Sequence, residues 1–108
     1  MKTATREQTG STIIDVTGDI DIRTSPGFRK TLLESLKNTP RLVVNLREVR
    51  YVDSSGIASL VEVFKEARNR NKRLVLFGLN ATVHDVLQLT RLVKIFEIRE
   101  TEEEALQA

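Results

Sequence analysis

The sequence predicts an α/β fold, a single domain over residues 1–108 with a mixed, mostly parallel β-sheet of four to five strands and about four packed helices. Three observations carry this reading. From residue 41 onward the hydrophobic patterns run strand, helix, strand, helix, strand, an order that calls for parallel pairing and right-handed crossovers. Two of those strands, "RLVVNL" (41–46) and "RLVLFGL" (73–79), are nearly continuous apolar runs, typical of strands covered on both faces. The 108 residues, 40% hydrophobic and 30% charged with few Gly or Pro, match an ordinary globular domain large enough to bury a core.

The elements follow in order. A weak strand is expected within residues 2–8, ahead of a turn at Gly10. "STIIDVTGDID" (11–21) alternates Ile14 and Val16 with Asp15 and Thr17, as a half-exposed strand does. "RTSPGFRKTLLESLKN" then starts a helix, with Ser25 as cap, Pro26 at the first helical position and Phe28, Leu32 and Leu36 on one face. After the 41–46 strand, Ile57, Leu60, Val61 and Phe64 fall at i, i+3, i+4 and i+7, predicting a helix that reaches about Asn71. Asn80 caps a third helix bearing Val83, Val86, Leu87 and Thr90. "KIFEI" (94–98) reads as a short last strand, and Thr101 with Glu104 has capping-box spacing ahead of Ala105 and Leu106.

Composition excludes several function classes. The absence of cysteine removes disulfides, thiolate zinc sites and cysteine nucleophiles, and fits a reducing compartment. The formal charge is +2, from 17 basic and 15 acidic residues, a near balance that does not point to nucleic acid. No apolar run is long enough to span a bilayer, and "MKTATREQTG" lacks the apolar stretch of a secretory signal. The expectation is a cytoplasmic protein, monomeric on its own, without direct membrane insertion.

In sheets of this kind, sites gather where the carboxyl ends of strands feed helix N-termini. "YVDSSGIASL" (51–60) is one such junction, and the segment from Asp21 to Ser25 is another if its strand runs alongside. Any of Asp53, Ser54 or Ser55 can cap the following helix, with Gly56 easing the entry. One capping residue does not require two serines and a glycine. The alternative is phosphorylation. It adds about −1.5 to −2 charges at neutral pH, which a helix N-terminus tolerates and a docked partner beside Asp53 and Asp21 does not. Local chemistry leaves cap and phosphosite both open.

The chain resembles the STAS domain family, the module of anti-sigma factor antagonists and sulphate-transporter tails. Four stretches carry the resemblance in order: "TGDIDIRTS", "LVVNLREVRYVDSSGIASL", "RLVLFGLNATVHDVLQLTRL" and "KIFEIRETEEEAL". The resemblance implies a phospho-switch that binds an anti-sigma serine kinase of the GHKL type when unmodified. Phosphorylation releases that kinase, a serine phosphatase reverses the step, and sigma-factor-dependent transcription is the output. It implies Ser54 as phosphoacceptor, with Ser55 as second choice. The implied partner-binding set is Asp21, Arg23, Thr24, Asp53, Ser54, Ser55, Gly56 and Ile57. After the glycine this chain reads Ile57-Ala58 where many antagonists read Leu-Gly. The alanine is similar to STAS subunits of lipid-transporting ABC systems, which often lack the serine. A non-catalytic subunit bracing a transporter ATPase is therefore the alternative.

No enzyme activity, metal or cofactor is expected. His84 is the single histidine, without a second ligand beside it, and reads as a solvated helix residue; a Ser/His/Asp triad would have to recruit it from far along the chain. Arg68, Arg70, Lys72 and Arg73 sit where the central helix ends, where cations complement the dipole and bond free carbonyls. Glu97, Glu100, Glu102, Glu103 and Glu104 group around a helix start, and Gly78 marks a strand end.

Overall fold

The computed structural model describes residues 1–108. Five strands, β1 (Lys2–Gln8), β2 (Ser11–Thr17), β3 (Arg41–Glu48), β4 (Arg73–Phe77) and β5 (Glu97–Arg99), lie side by side in chain order. β1 and β2 form an antiparallel hairpin whose turn residues Thr9 and Gly10 both have positive φ. Every other pairing is parallel. The helices are α1 (Ser25–Leu36), α2 (Ser54–Asn69), α3 (Ala81–Leu89) and α4 (Glu102–Gln107), with a 3₁₀ turn at Leu92–Lys94.

Alternation along the strands divides the core in two. Ile14, Val44 and Leu76 face Phe28 and Leu32 of α1, Leu60 and Val63 of α2, and Val83 and Leu87 of α3. Ile13, Val43, Val75 and Phe77 point the other way, where Ala105 of α4 covers them. Strands β3 and β4 are thus buried on both faces, as their unbroken apolar runs require. Each fully buried Leu or Ile here contributes about 1.5–3 kcal/mol relative to exposure.

Several boundaries depart from the sequence expectation. β2 ends at Thr17, not at residue 21, because Gly18 turns the chain at φ 101°. Only Ile20 rejoins the sheet, in a parallel bridge to Val52. β3 continues to Glu48, and α2 stops at Asn69, just before the left-handed Asn71. β4 ends at Phe77, before the positive-φ Gly78. Residues 94–96 are not strand. Arg91 adopts φ 61°, and the amides of Ile95 and Phe96 donate back to the Leu92 carbonyl at 2.9 and 3.1 Å. That coil seats Phe96 edge-on against Phe64, ring centroids 5.5 Å apart, so packing overrides the β-branched local pattern. Ser25 is not the cap of α1 but its first residue, buried, and Thr24, in the cap position, makes no side-chain bond to the helix amides.

Candidate functional site

The carboxyl ends of β2 and β3 are joined by a ladder of backbone bonds. Gly18 N–H donates to the Glu48 carbonyl (3.1 Å), Ile20 N–H to Tyr51 (3.0 Å) and Asp53 N–H to Ile20 (3.0 Å). This brings the Asp21–Ser25 turn against the serine turn, as the sequence predicted for two parallel neighbours.

Asp53 is the cap of α2, which resolves the choice left open among three residues. Its Oδ1 accepts from the amides of Ser55 (2.9 Å) and Gly56 (3.0 Å) and from the Ser55 hydroxyl (2.5 Å). Its Oδ2 accepts from the Ile22 amide at 3.1 Å, across to the other loop. One carboxylate therefore caps the helix and staples the two turns together. The Ser55 hydroxyl, then the helix amides, hold its pKa below the ordinary carboxylate value.

Asp21 organises the facing turn. Its Oδ1 accepts from the amides of Arg23 (2.9 Å) and Thr24 (3.2 Å), and the Arg23 guanidinium reaches its Oδ2 at 3.3 Å. Its carbonyl accepts from Thr24 and Ser25, which is why the cap falls one residue before Ser25. The Arg23 amide is the main cause of a lowered Asp21 pKa. Thr24 Oγ1 accepts from the Asp21 amide (2.9 Å) and donates to the Asp19 carbonyl (3.0 Å).

The two serines are not equivalent. Ser55 is half-buried, with its hydroxyl held by Asp53. Ser54, the first residue of α2, is exposed, and its Oγ has no hydrogen-bond partner. Gly56 is buried rather than open. A Cβ there would stand 2.6 Å from Val52 Cγ1, 2.8 Å from Ile20 Cγ2 and 3.1 Å from the Ile20 carbonyl oxygen, so the glycine serves the close approach of α2 to the loop ladder. Ile57, 8% exposed, belongs to the core. Both support the turn from beneath and present little to a partner.

Two residues of this surface were missed by the sequence reading. Ile22 is 74% exposed and Tyr51 48% exposed, both on loops that flank Ser54. Ile22 falls between the expected strand, which ends at residue 21, and the helical stretch that starts at residue 23. Ile20, likewise beyond Gly18 and between two charged residues, is fully buried, so the local sequence does not tell the two isoleucines apart; the bridge from Ile20 to Val52 does.

Other candidates resolve elsewhere. His84 lies on α3, half-buried, and lines a cavity of about 760 Å³ with Leu79, Phe96 and Arg99. No group of three or more His, Asp or Glu stands so as to hold a metal ion. In the basic run, Arg70 pairs with Glu66 at 2.7 Å, Arg73 pairs with Glu97, and Lys72 donates to the Lys37 carbonyl at the end of α1, not of its own helix. Of the acids, Glu102 pairs with Arg6 at 2.6 Å, and the Glu104 amide donates to the Thr101 cap at 3.2 Å. No helix is long and apolar enough to cross a membrane.

Comparison with known proteins adds a frame. The STAS domain family model matches residues 2–105. The anti-sigma-B factor antagonist of Listeria monocytogenes is 38% identical over 92 residues, covering 84% of this chain and 81% of that protein. The anti-sigma F factor antagonist of Paenibacillus polymyxa is 26% identical over 99 residues, covering 90% and 85%. An anti-sigma factor antagonist from Mycobacterium paratuberculosis has the same fold, with TM-score 0.90 at 22% identity over 98% of this chain and 91% of that one.

Proposed function

The chain belongs to the STAS domain family, and on that footing we propose that it is an anti-sigma factor antagonist working as a phospho-switch. Unmodified, it binds an anti-sigma factor serine kinase through the paired turns and so frees a sigma factor for transcription. The kinase transfers the γ-phosphoryl group of ATP to Ser54 Oγ, the hydroxyl proton leaves, and the complex separates. A serine phosphatase restores the binding form. The protein acts in the cytoplasm by binding, and the nucleotide is the kinase's.

The observation that carries this reading is the contrast between the two serines. The Ser54 oxygen is exposed and unengaged, and the Ser55 oxygen is bonded to Asp53. A phosphate on Ser54 would find the amides of Ser55 and Gly56 already taken by Asp53. Its charge therefore stays at the surface, next to that carboxylate and in the path of a partner. The contact set comprises Asp21, Ile22, Arg23, Thr24, Tyr51, Asp53, Ser54 and Ser55, with Gly56 and Ile57 holding the turn in place. A repulsion of only about 3 kcal/mol lowers affinity roughly a hundredfold. The transporter-subunit alternative rested on Ile57-Ala58. With Ile57 in the core and Ala58 a lone exposed methyl on α2, that pair offers little for partner choice.

The test is incubation of the purified protein with its cognate kinase and ATP, followed by mass spectrometry. Phosphate on Ser54, lost in Ser54→Ala, is the expected result. Ser54→Asp should bind the kinase about a hundredfold more weakly with an unchanged melting temperature. Absence of phosphate from residue 54, or full binding by Ser54→Asp, refutes the switch.

A further inference from the structure

We propose that the groove between the C-terminal half of α2 and the Leu92–Phe96 coil is a second docking surface, shaped for an acidic amphipathic helix of a partner protein. Its floor is apolar. Val61 and Phe64 of α2 meet Leu92, Ile95 and Phe96, with the two phenyl rings edge-to-face at 76°. Two adjoining cavities of about 490 and 380 Å³ share Phe64, Arg68, Ile95 and Phe96, and Ile95 is left 50% exposed at their junction.

The rim is basic, and its charge is not spent internally. Lys65, Arg68 and Lys94 line the cavities and have no acidic partner, in contrast to Arg70 and Arg73, which pair with Glu66 and Glu97. The one acid of the lining, Glu97, is held by Arg73 and Arg99. Three uncompensated cations around a recessed apolar floor complement a helix whose apolar anchors are flanked by Glu or Asp.

The dimensions agree. Val61, Phe64, Lys65 and Arg68 are spaced i, i+3, i+4 and i+7, a stripe of about 10 Å along α2. That is the two-turn length over which a groove-bound helix sets its anchors. A bilayer surface is flat and does not reach a recessed floor. For nucleic acid the two phenyl rings, packed edge-on against each other, make a poor stacking platform. The groove runs from about 10 Å (Val61) to about 21 Å (Arg68) along α2 from Ser54, beyond the residues that make up the serine turn. The inference does not depend on the reading of the serine turn.

The test is an NMR titration of the ¹⁵N-labelled full chain. The probe is a synthetic helical peptide of about 16 residues, with Leu and Phe at the i, i+3, i+4, i+7 positions and Glu on their flanks. A scrambled peptide of the same composition, phosphatidylglycerol vesicles and a short DNA duplex serve as competing probes. Saturable binding is expected, with amide shifts at Phe64, Arg68, Ile95 and Phe96. Arg68→Glu and Lys94→Glu should each weaken it about tenfold, and Ser54→Asp should leave it unchanged. No saturation by about 1 mM peptide, equal binding of the scrambled control, indifference to both charge reversals, or tighter binding of vesicles or duplex would each overturn it. Both variants lie on the surface, and their thermal melts separate loss of binding from loss of fold.

Discussion

Gly56 has almost no room around it. Two methyl groups and a carbonyl oxygen stand within 3.1 Å of where a Cβ would go. The methyls belong to β-branched Val52 and Ile20, whose χ1 is stiff, and the oxygen accepts the bond that joins the two loops. Gly56→Ala should therefore destabilise the protein by about 1–3 kcal/mol, measured by urea unfolding, and should weaken kinase binding by displacing the turn. The requirement is invisible in the sequence. A glycine after two serines reads as a loose helix entry. Only the Ile20–Val52 bridge, 32 residues apart in sequence (52 − 20), reveals a tight crossing. The Ser54/Ser55 distinction is similar in kind. Two adjacent hydroxyls look alike on paper, and the cap geometry of Asp53 tells them apart.

Among the elements, those set by local chemistry were legible and those set by distant packing were not. The Ile57–Leu60–Phe64 stripe fixes α2 by its period, and Asn80 announces α3 as an N-cap with its side-chain oxygen 2.8 Å from the Val83 amide. Asn80→Ala should cost about 1 kcal/mol, read as a lowered melting temperature. The loss also includes the bond from Nδ2 to the Val49 carbonyl (3.1 Å), which ties α3 to the end of β3. By contrast, residues 94–98 carry a strand-like pattern, yet the first three coil, because the left-handed Arg91 and the Phe64 contact decide their path. Helix α4 is held by partners no periodicity could name. Arg6 on the edge strand forks to Asp15 (2.6 Å) and Glu102 (2.6 Å), and Asn45 donates to Asp15 at 2.9 Å.

For the whole molecule, three carboxylates make stability depend on acid. Asp15 is depressed chiefly by Arg6, Asp21 chiefly by the Arg23 amide, and Asp53 chiefly by the Ser55 hydroxyl. In each case the folded-state pKa lies below the unfolded one, so the folded form resists protonation. Their contribution is complete above the ordinary carboxylate value of about 4 and is lost as pH falls through the depressed folded-state values. Unfolding monitored by circular dichroism should give a melting temperature that is flat with respect to these groups between about pH 5 and 7 and that drops below about pH 4. Asp53→Asn should shrink the acid-dependent part of that drop. The single carboxylate that occupies the first amides of α2 has one more effect. Since it already holds the amides of Ser55 and Gly56, an added phosphate must share the helix end with a like charge, and in cellular salt its field fades over about 8 Å. Modification should thus be read at touching range only: a ligand seated on the turn is expelled, and one resting two or three screening lengths away is left undisturbed.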